Sequence, residues 1–335
     1  MLRSGSVGAT GRHRLIGIAR WVLGCLIVGL LLLRFDPRAV AGALQHVDLW
    51  IAVPAILGLV AIHLLGAIAW RDLSIRLAAV RLPWWPTITN YYAAQAVGSI
   101  TPANLGADAY RLAAFRNPAR EWATLLLPIV VQRVTSYVAL SVVALASLAL
   151  LPPSTSTLPI VLAGGGFITV SGVVLLFVRQ PRIFGGPLRL LPPRMRPELH
   201  GTALPARAWI AALTSGTSLA LAFHLGSIAM VYLLVVALGG HADAGPVLAC
   251  IAVARLSILI PLSPSGLGFQ EAALSVLFLQ IGLTAEMALA TAVLNRLALL
   301  ATMALGSTLI VSGRTGTLTR RSEGTVQGYE ASASR

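Results

Sequence analysis

The chain of 335 residues is 57% hydrophobic and only 11% charged, against roughly 25% charged in an ordinary soluble domain, and its mean hydropathy is +0.83. A soluble fold of this size cannot hide that much apolar surface, and apolar runs of about 20 residues, enough to cross ~30 Å of hydrocarbon, recur from end to end. The formal net charge is +14, yet all 25 basic residues are arginine; without lysine, a Walker A phosphate loop and Schiff-base catalysis are excluded.

Residues 1–14, with Arg3, Arg12 and Arg14, form a basic amino-terminal segment. The apolar run that follows, Leu15 to Leu33, exceeds the about 7 to 15 residues of a signal-peptide core, which predicts a retained first helix. Further spans are predicted from Leu49 to Trp70, Trp122 to Leu151, Leu158 to Val178, Trp209 to Leu238 and Glu286 to Val311. Residues 84–116 and 245–283 are also apolar, but each carries a Pro-Gly cluster at its centre: Thr101-Pro-Ala-Asn-Leu-Gly106 and Ser263-Pro-Ser-Gly-Leu-Gly268. Each reads as two half-length helices meeting at a break, either a re-entrant hairpin or a pair of short spans. Pro102, Asn104, Gly106, Pro264, Gly266 and Gly268 are the expected break residues. The expected fold is an all-α polytopic membrane protein with six full spans and two broken segments.

The arginines cluster in short segments beside the spans: the amino terminus, the 71–83 loop (Arg71, Arg76, Arg81), the 179–208 loop and the tail (Arg314, Arg320, Arg321). This is the pattern that the positive-inside rule and anionic headgroups produce, so these segments and both termini are expected on the cytoplasmic side of the inner cell membrane, and nucleic acid is not an expected partner. The tail, residues 312–335, is polar and without periodicity, which predicts disorder. Trp84, Trp85, Tyr91 and Tyr92 read as an interfacial aromatic anchor. Cys25 and Cys250 sit inside apolar segments with no Cys-x-x-Cys and no neighbouring His set; they read as small core residues, and no metal or cofactor is expected.

The two halves resemble each other at an offset of about 161 or 162 residues. Ala61-Ile-His63 matches Ala222-Phe-His224, Thr101 to Gly106 matches Ser263 to Gly268, and Gln132-Arg133 matches Asn295-Arg296. The repeats are then residues 15–151 and 158–311. Each holds an odd number of full spans, three, so the second is expected upside down relative to the first, a recurring plan among secondary transporters.

Arg133 and Arg296 fall about 11 and about 10 residues into their spans, near mid-membrane at ~1.5 Å per residue. An uncompensated arginine there costs about 3 to more than 10 kcal/mol. Asp108 and Glu271, each in the first turn after a break, are candidate salt-bridge partners or ordinary helix N-terminal acids. Counting Arg111, Arg133, Arg255 and Arg296 against these two acids leaves a surplus of two positive charges, or of one if Arg111 lies in the headgroup region. A lipid phosphate would neutralise it, since arginine binds phosphate with a bidentate fork. His63, His224, Asn104, Gln132, Gln270 and Asn295 could orient these groups or bond between helices; for the two histidines the structural role is the stronger expectation.

The same residues carry a family resemblance. Pro102 to Gly106 followed by Arg111, and Arg255, Pro261, Ser263-Pro-Ser-Gly-Leu-Gly268 and Glu271, resemble the two motif blocks of the transmembrane, flippase-like region of lysylphosphatidylglycerol synthases and related stand-alone membrane proteins. The resemblance spans nearly the whole chain, departing at Ala103-Asn104. It implies movement of lipid between leaflets, without the aminoacyl-transferase domain of the bifunctional members. The reading is therefore a non-enzymatic translocase for an anionic, phosphate-bearing lipid. The alternatives are a membrane-embedded transferase acting on a lipid phosphate, for which the loops offer only isolated acids (Asp36, Asp48, Asp72, Glu198, Asp243), and a scaffold for a separate lipid-modifying enzyme.

Overall fold

A computed structural model describes Val22, Leu26 and residues 37–101, 104–115, 122–153, 155–179, 205–240, 242–259 and 267–315. The predicted first span apart from Val22 and Leu26, most of the 179–208 loop, the tail beyond Thr315 and the break residues Pro102, Pro264 and Gly266 lie outside these. Among the described residues every regular element is helical: α1 (Pro37–Gln45), α2 (Leu49–Ala61), α3 (His63–Ala78), α4 (Trp84–Ser99), α5 (Leu105–Ala114), α6 (Trp122–Ser147), α7 (Leu158–Arg179), α8 (Ala206–Ala237), α9 (Ala244–Arg255), α10 (Phe269–Gln280) and α11 (Ala285–Val311). Short 3₁₀ turns follow α6 and α9.

Among the described residues, four helical stretches are long and apolar enough to cross a bilayer: Leu49–Ala78, Leu125–Leu150, Ala206–Ala237 and Ala285–Val311. The first joins α2 and α3 through Ile62, whose N–H still donates to the Gly58 carbonyl at 2.8 Å. It therefore runs past the predicted end at Trp70, and the predicted 71–83 loop shrinks to residues 79–83. Polarity marks where the apolar stretch ends, but the helix continues because its charged residues are satisfied there. Arg71 donates to the Leu82 carbonyl (2.9 Å) and stacks on Trp84, while Arg76 pairs with Asp72 at 2.7 Å. Ala79, in the left-handed region at φ 52°, ends the helix.

Both predicted breaks are present. The halves of each broken segment, α4 with α5 and α9 with α10, pack against each other. Helices α5 and α10 both start from a left-handed residue, Asn104 (φ 57°) and Gly268 (φ 83°). Their first turns, which leave backbone N–H groups without intrahelical partners, are satisfied by side chains. The Gly106 N–H donates to Thr101 Oγ1 (2.8 Å), and the Gly268 N–H donates to Glu271 Oε2 (2.8 Å). At Gly268 the positive φ favours glycine over any residue with a Cβ.

The two halves of the chain meet through α8, which packs on α2, α3 and α6, and through α11, which packs on α2 and α4. Small residues permit close approach where lipid supplies no hydrophobic drive between helices. At Gly306 of α11 an added Cβ would lie 2.2 Å from the Tyr92 carbonyl oxygen of α4. Because that neighbour is backbone, Gly306→Ala is expected to destabilise the protein by about 1–3 kcal/mol, measured as a lower unfolding midpoint in detergent. Unchanged stability would mean that α4 and α11 are not in this contact.

The aromatic anchor is divided. Trp84 and Trp85 are exposed as expected, but Tyr91 and Tyr92 are turned inward at 9% and 5% exposure. Beyond its first turn α4 is covered by α3, α5 and α11, so its aromatics there serve the interior. The Tyr92 hydroxyl donates to the Val60 carbonyl at 2.8 Å.

Candidate functional site

Arg133 and Arg296 each stand eleven residues from the start of their helices, α6 and α11. At ~1.5 Å per residue that is about half the hydrocarbon thickness. Both point into one cavity of about 340 Å³, lined also by Asp108, Arg111, Gln132, Arg255, Gln270 and Asn295. The structure thus gathers all four arginines singled out in the sequence around one space.

The ion pairs follow a common spacing. Asp108, in the first turn of α5, accepts from Arg111 at one oxygen and from Arg133 Nε at the other. Glu271, in the first turn of α10, accepts from Arg296 Nε at 2.7 Å. Acid and mid-span arginine are 25 residues apart in both cases. Arg133 also donates to the Asn104 carbonyl (3.0 Å) and the Tyr137 hydroxyl (3.1 Å), so the left-handed residue that starts α5 is tied to the centre of α6.

Arg111 is 7% exposed. Its side chain is enclosed by protein. Its guanidinium carbon is 5.3 Å from the Trp70 ring centroid and 5.5 Å from that of Tyr91, within cation–π range. Its Nη1 donates to Gln132 Oε1 (2.7 Å), and Gln132 in turn donates to the Gly66 carbonyl (2.7 Å).

Arg255 differs. It is the last residue of α9, and its Nε and Nη1 are buried with no hydrogen-bond partner among the described residues. No carboxylate of the described residues is in a salt bridge with it. The C-terminal end of α9 offers it only a partial negative charge. Four guanidinium groups therefore line the cavity against one lining carboxylate, Asp108, and Glu271, which pairs with Arg296; both carboxylates are already ion-paired, which leaves an excess of two positive charges among the described residues.

The matching histidines line the same cavity. His63 Nδ1 donates to the Leu59 carbonyl (3.0 Å), and His224 Nε2 lies 3.0 Å from both the carbonyl and the hydroxyl of Ser136. Each engages a neighbouring helix turn or helix, as the structural expectation for them requires. Cys250 is buried, its thiol 3.5 Å from the Leu277 carbonyl. Tyr91, Gln95, Ser136 and Tyr137 also line the cavity and were not singled out in the sequence. The available signal was weak: Tyr137 is one helical turn beyond Arg133, and Gln95 one turn beyond Tyr91.

Several long apolar helices around a charged interior cavity define a multi-pass helical membrane protein with a polar site between its helices. The family described as "Lysylphosphatidylglycerol synthase TM region" matches residues 18–306. The chain belongs to that family, which points to a membrane function related to lipid. Comparison with curated proteins finds no match.

Proposed function

We propose that this protein is a lipid translocase, in which an anionic, phosphate-bearing headgroup occupies the arginine-lined cavity and passes between leaflets of the inner cell membrane while its acyl chains stay in lipid. The observation that carries the reading is the positive excess around the cavity, above all Arg255, whose Nε and Nη1 are buried without a partner among the described residues, since a buried charge without a partner costs several kcal/mol. A phosphate accepts from several guanidinium groups at once and offsets that cost. At about 340 Å³ the cavity has room for on the order of ten water-sized groups. That suits a headgroup and not a whole lipid.

In this reading residues 15–151 and 158–311 are inverted repeats of three full spans and one broken segment each, with both termini cytoplasmic. The equal 25-residue spacing of the two acid–arginine pairs and the left-handed starts of α5 and α10 support a duplicated unit. Rocking of one repeat on the other about the cavity would expose the headgroup to alternate sides. Without a lysine for a nucleotide-binding loop, movement is downhill or ion-coupled. No chemical step is assigned to the protein. Asp48 and Asp72, two of the acids that a transferase could use, are engaged as the cap of α2 and as the partner of Arg76 and Ser215.

The test is transbilayer movement of a fluorescent phosphate lipid in reconstituted vesicles. The Arg133→Ala/Arg296→Ala variant is expected to slow it at least about tenfold, the effect of ~1.4 kcal/mol. Movement at the wild-type rate would remove the mechanism.

A further inference from the structure

The charge count does more than call for an anion: it sets how much negative charge the ligand should bring. We infer that the site selects a dianionic phosphate headgroup, a phosphomonoester or a diphosphate diester, over the monoanionic phosphodiester of common phospholipids; this rests on the translocase site described above and specifies its ligand. The excess is distributed evenly. On the α5–α6 side Arg111 and Arg133 share the single carboxylate of Asp108. On the α9–α11 side Glu271 bonds Arg296, and Arg255 has no salt bridge to any carboxylate of the described residues. Each side carries one uncompensated positive charge, and all four guanidinium groups line the same cavity.

A monoanion in that space leaves one positive charge unbalanced at mid-membrane depth, where a lone charge is costly. A dianion balances both. Conversely, a headgroup with an added amino group brings a further cation to a site whose two carboxylates are already held by arginine. The polar groups Gln95, Tyr137 and Asn295 are uncharged and alter neither count; His63 and His224 also line the cavity, and any charge they gain towards pH 5 is read by the diphosphate, whose own charge is fixed over that range. Arg255 is the residue whose partner the ligand supplies, because its Nε and Nη1 have none among the described residues.

The experiment compares binding of two lipids with identical acyl chains to the purified full-length protein: phosphatidic acid, a phosphomonoester, and phosphatidylglycerol, a phosphodiester. Near pH 8 the monoester is expected to bind about tenfold more tightly. Its second ionisation lies near pH 6, so at about pH 5 it becomes a monoanion and the preference should fall to about one. A dialkyl diphosphate, with two permanent charges, should keep its advantage at both values. Arg255→Met, which removes one charge, should bring the monoester preference near pH 8 towards one. Arg255→Lys, which keeps the charge, should preserve it, and so should Arg76→Gln, outside the cavity. If Arg255→Met fails to fold, the wild-type pH series decides alone. Competition by millimolar inorganic phosphate would support the charge rule with a soluble ligand as its source, whereas lack of competition supports it with a lipid as source. Equal binding of the two lipids near pH 8, with both lost from the Arg133→Ala/Arg296→Ala variant, would overturn the dianion rule and leave the translocase reading standing. Equal binding that survives in that variant would overturn both.

Discussion

Asp108→Asn is expected to destabilise the lipid-free protein by about 3–5 kcal/mol, the range for removing one partner of a buried ion pair. The expectation rests on Asp108 serving two cations at once. Asparagine is nearly the same size, so packing is retained while the negative charge is lost. Arg111 keeps Gln132 and its aromatic neighbours, and Arg133 keeps Tyr137 and the Asn104 carbonyl. Those are neutral partners and do not balance charge. Urea or thermal unfolding in detergent reads the loss, and added phosphate lipid should recover part of it by supplying the missing anion. A midpoint within measurement error of the wild type would mean that the Asp108 pairs do not hold α5 to α6.

Arg255→Met should have the opposite sign. Removing an isolated buried charge and replacing it with an apolar chain of similar length is expected to stabilise the lipid-free protein by about 1–4 kcal/mol. The same variant should lose most of the stabilisation that phosphate lipid gives the wild type, since ligand that binds only the folded state stabilises by RT ln(1 + [L]/Kd). A variant stable without ligand and indifferent to it is the signature of a residue retained for binding. If Arg255→Met instead lowers stability, Arg255 is satisfied by the fold itself and the excess charge of the cavity falls to one.

How much of this was legible beforehand varies with the kind of signal. The breaks were, because proline and glycine act on the backbone within a few residues: α4 ends at Ser99 and α5 starts at Leu105, α9 ends at Arg255 and α10 starts at Phe269. The ion pairs were legible as well, since an acid in the first turn after each break and an arginine at mid-span leave few other partners. Helix ends were less so. Arg71 and Arg76 looked like loop residues but belong to α3, because long side chains can reach carbonyls and carboxylates from within a helix. The placement of Tyr91 and Arg111 was not legible. Whether a tyrosine eight residues into α4 faces lipid or the interior depends on which helices cover it, and that is set by contacts between segments far apart in sequence. The same holds for Tyr137, whose contact with Arg133 needed the orientation of α6 about its axis.

The most direct measurement is native mass spectrometry of the lipids that copurify with the protein, comparing wild type with Arg133→Ala/Arg296→Ala. The wild type is expected to retain one class of phosphate lipid, and the variant, folded and otherwise intact, to lose it. Retention of the same unselective mixture by both would contradict the translocase reading, and would leave the four arginines as structural ion-pair residues of a membrane protein whose ligand lies elsewhere.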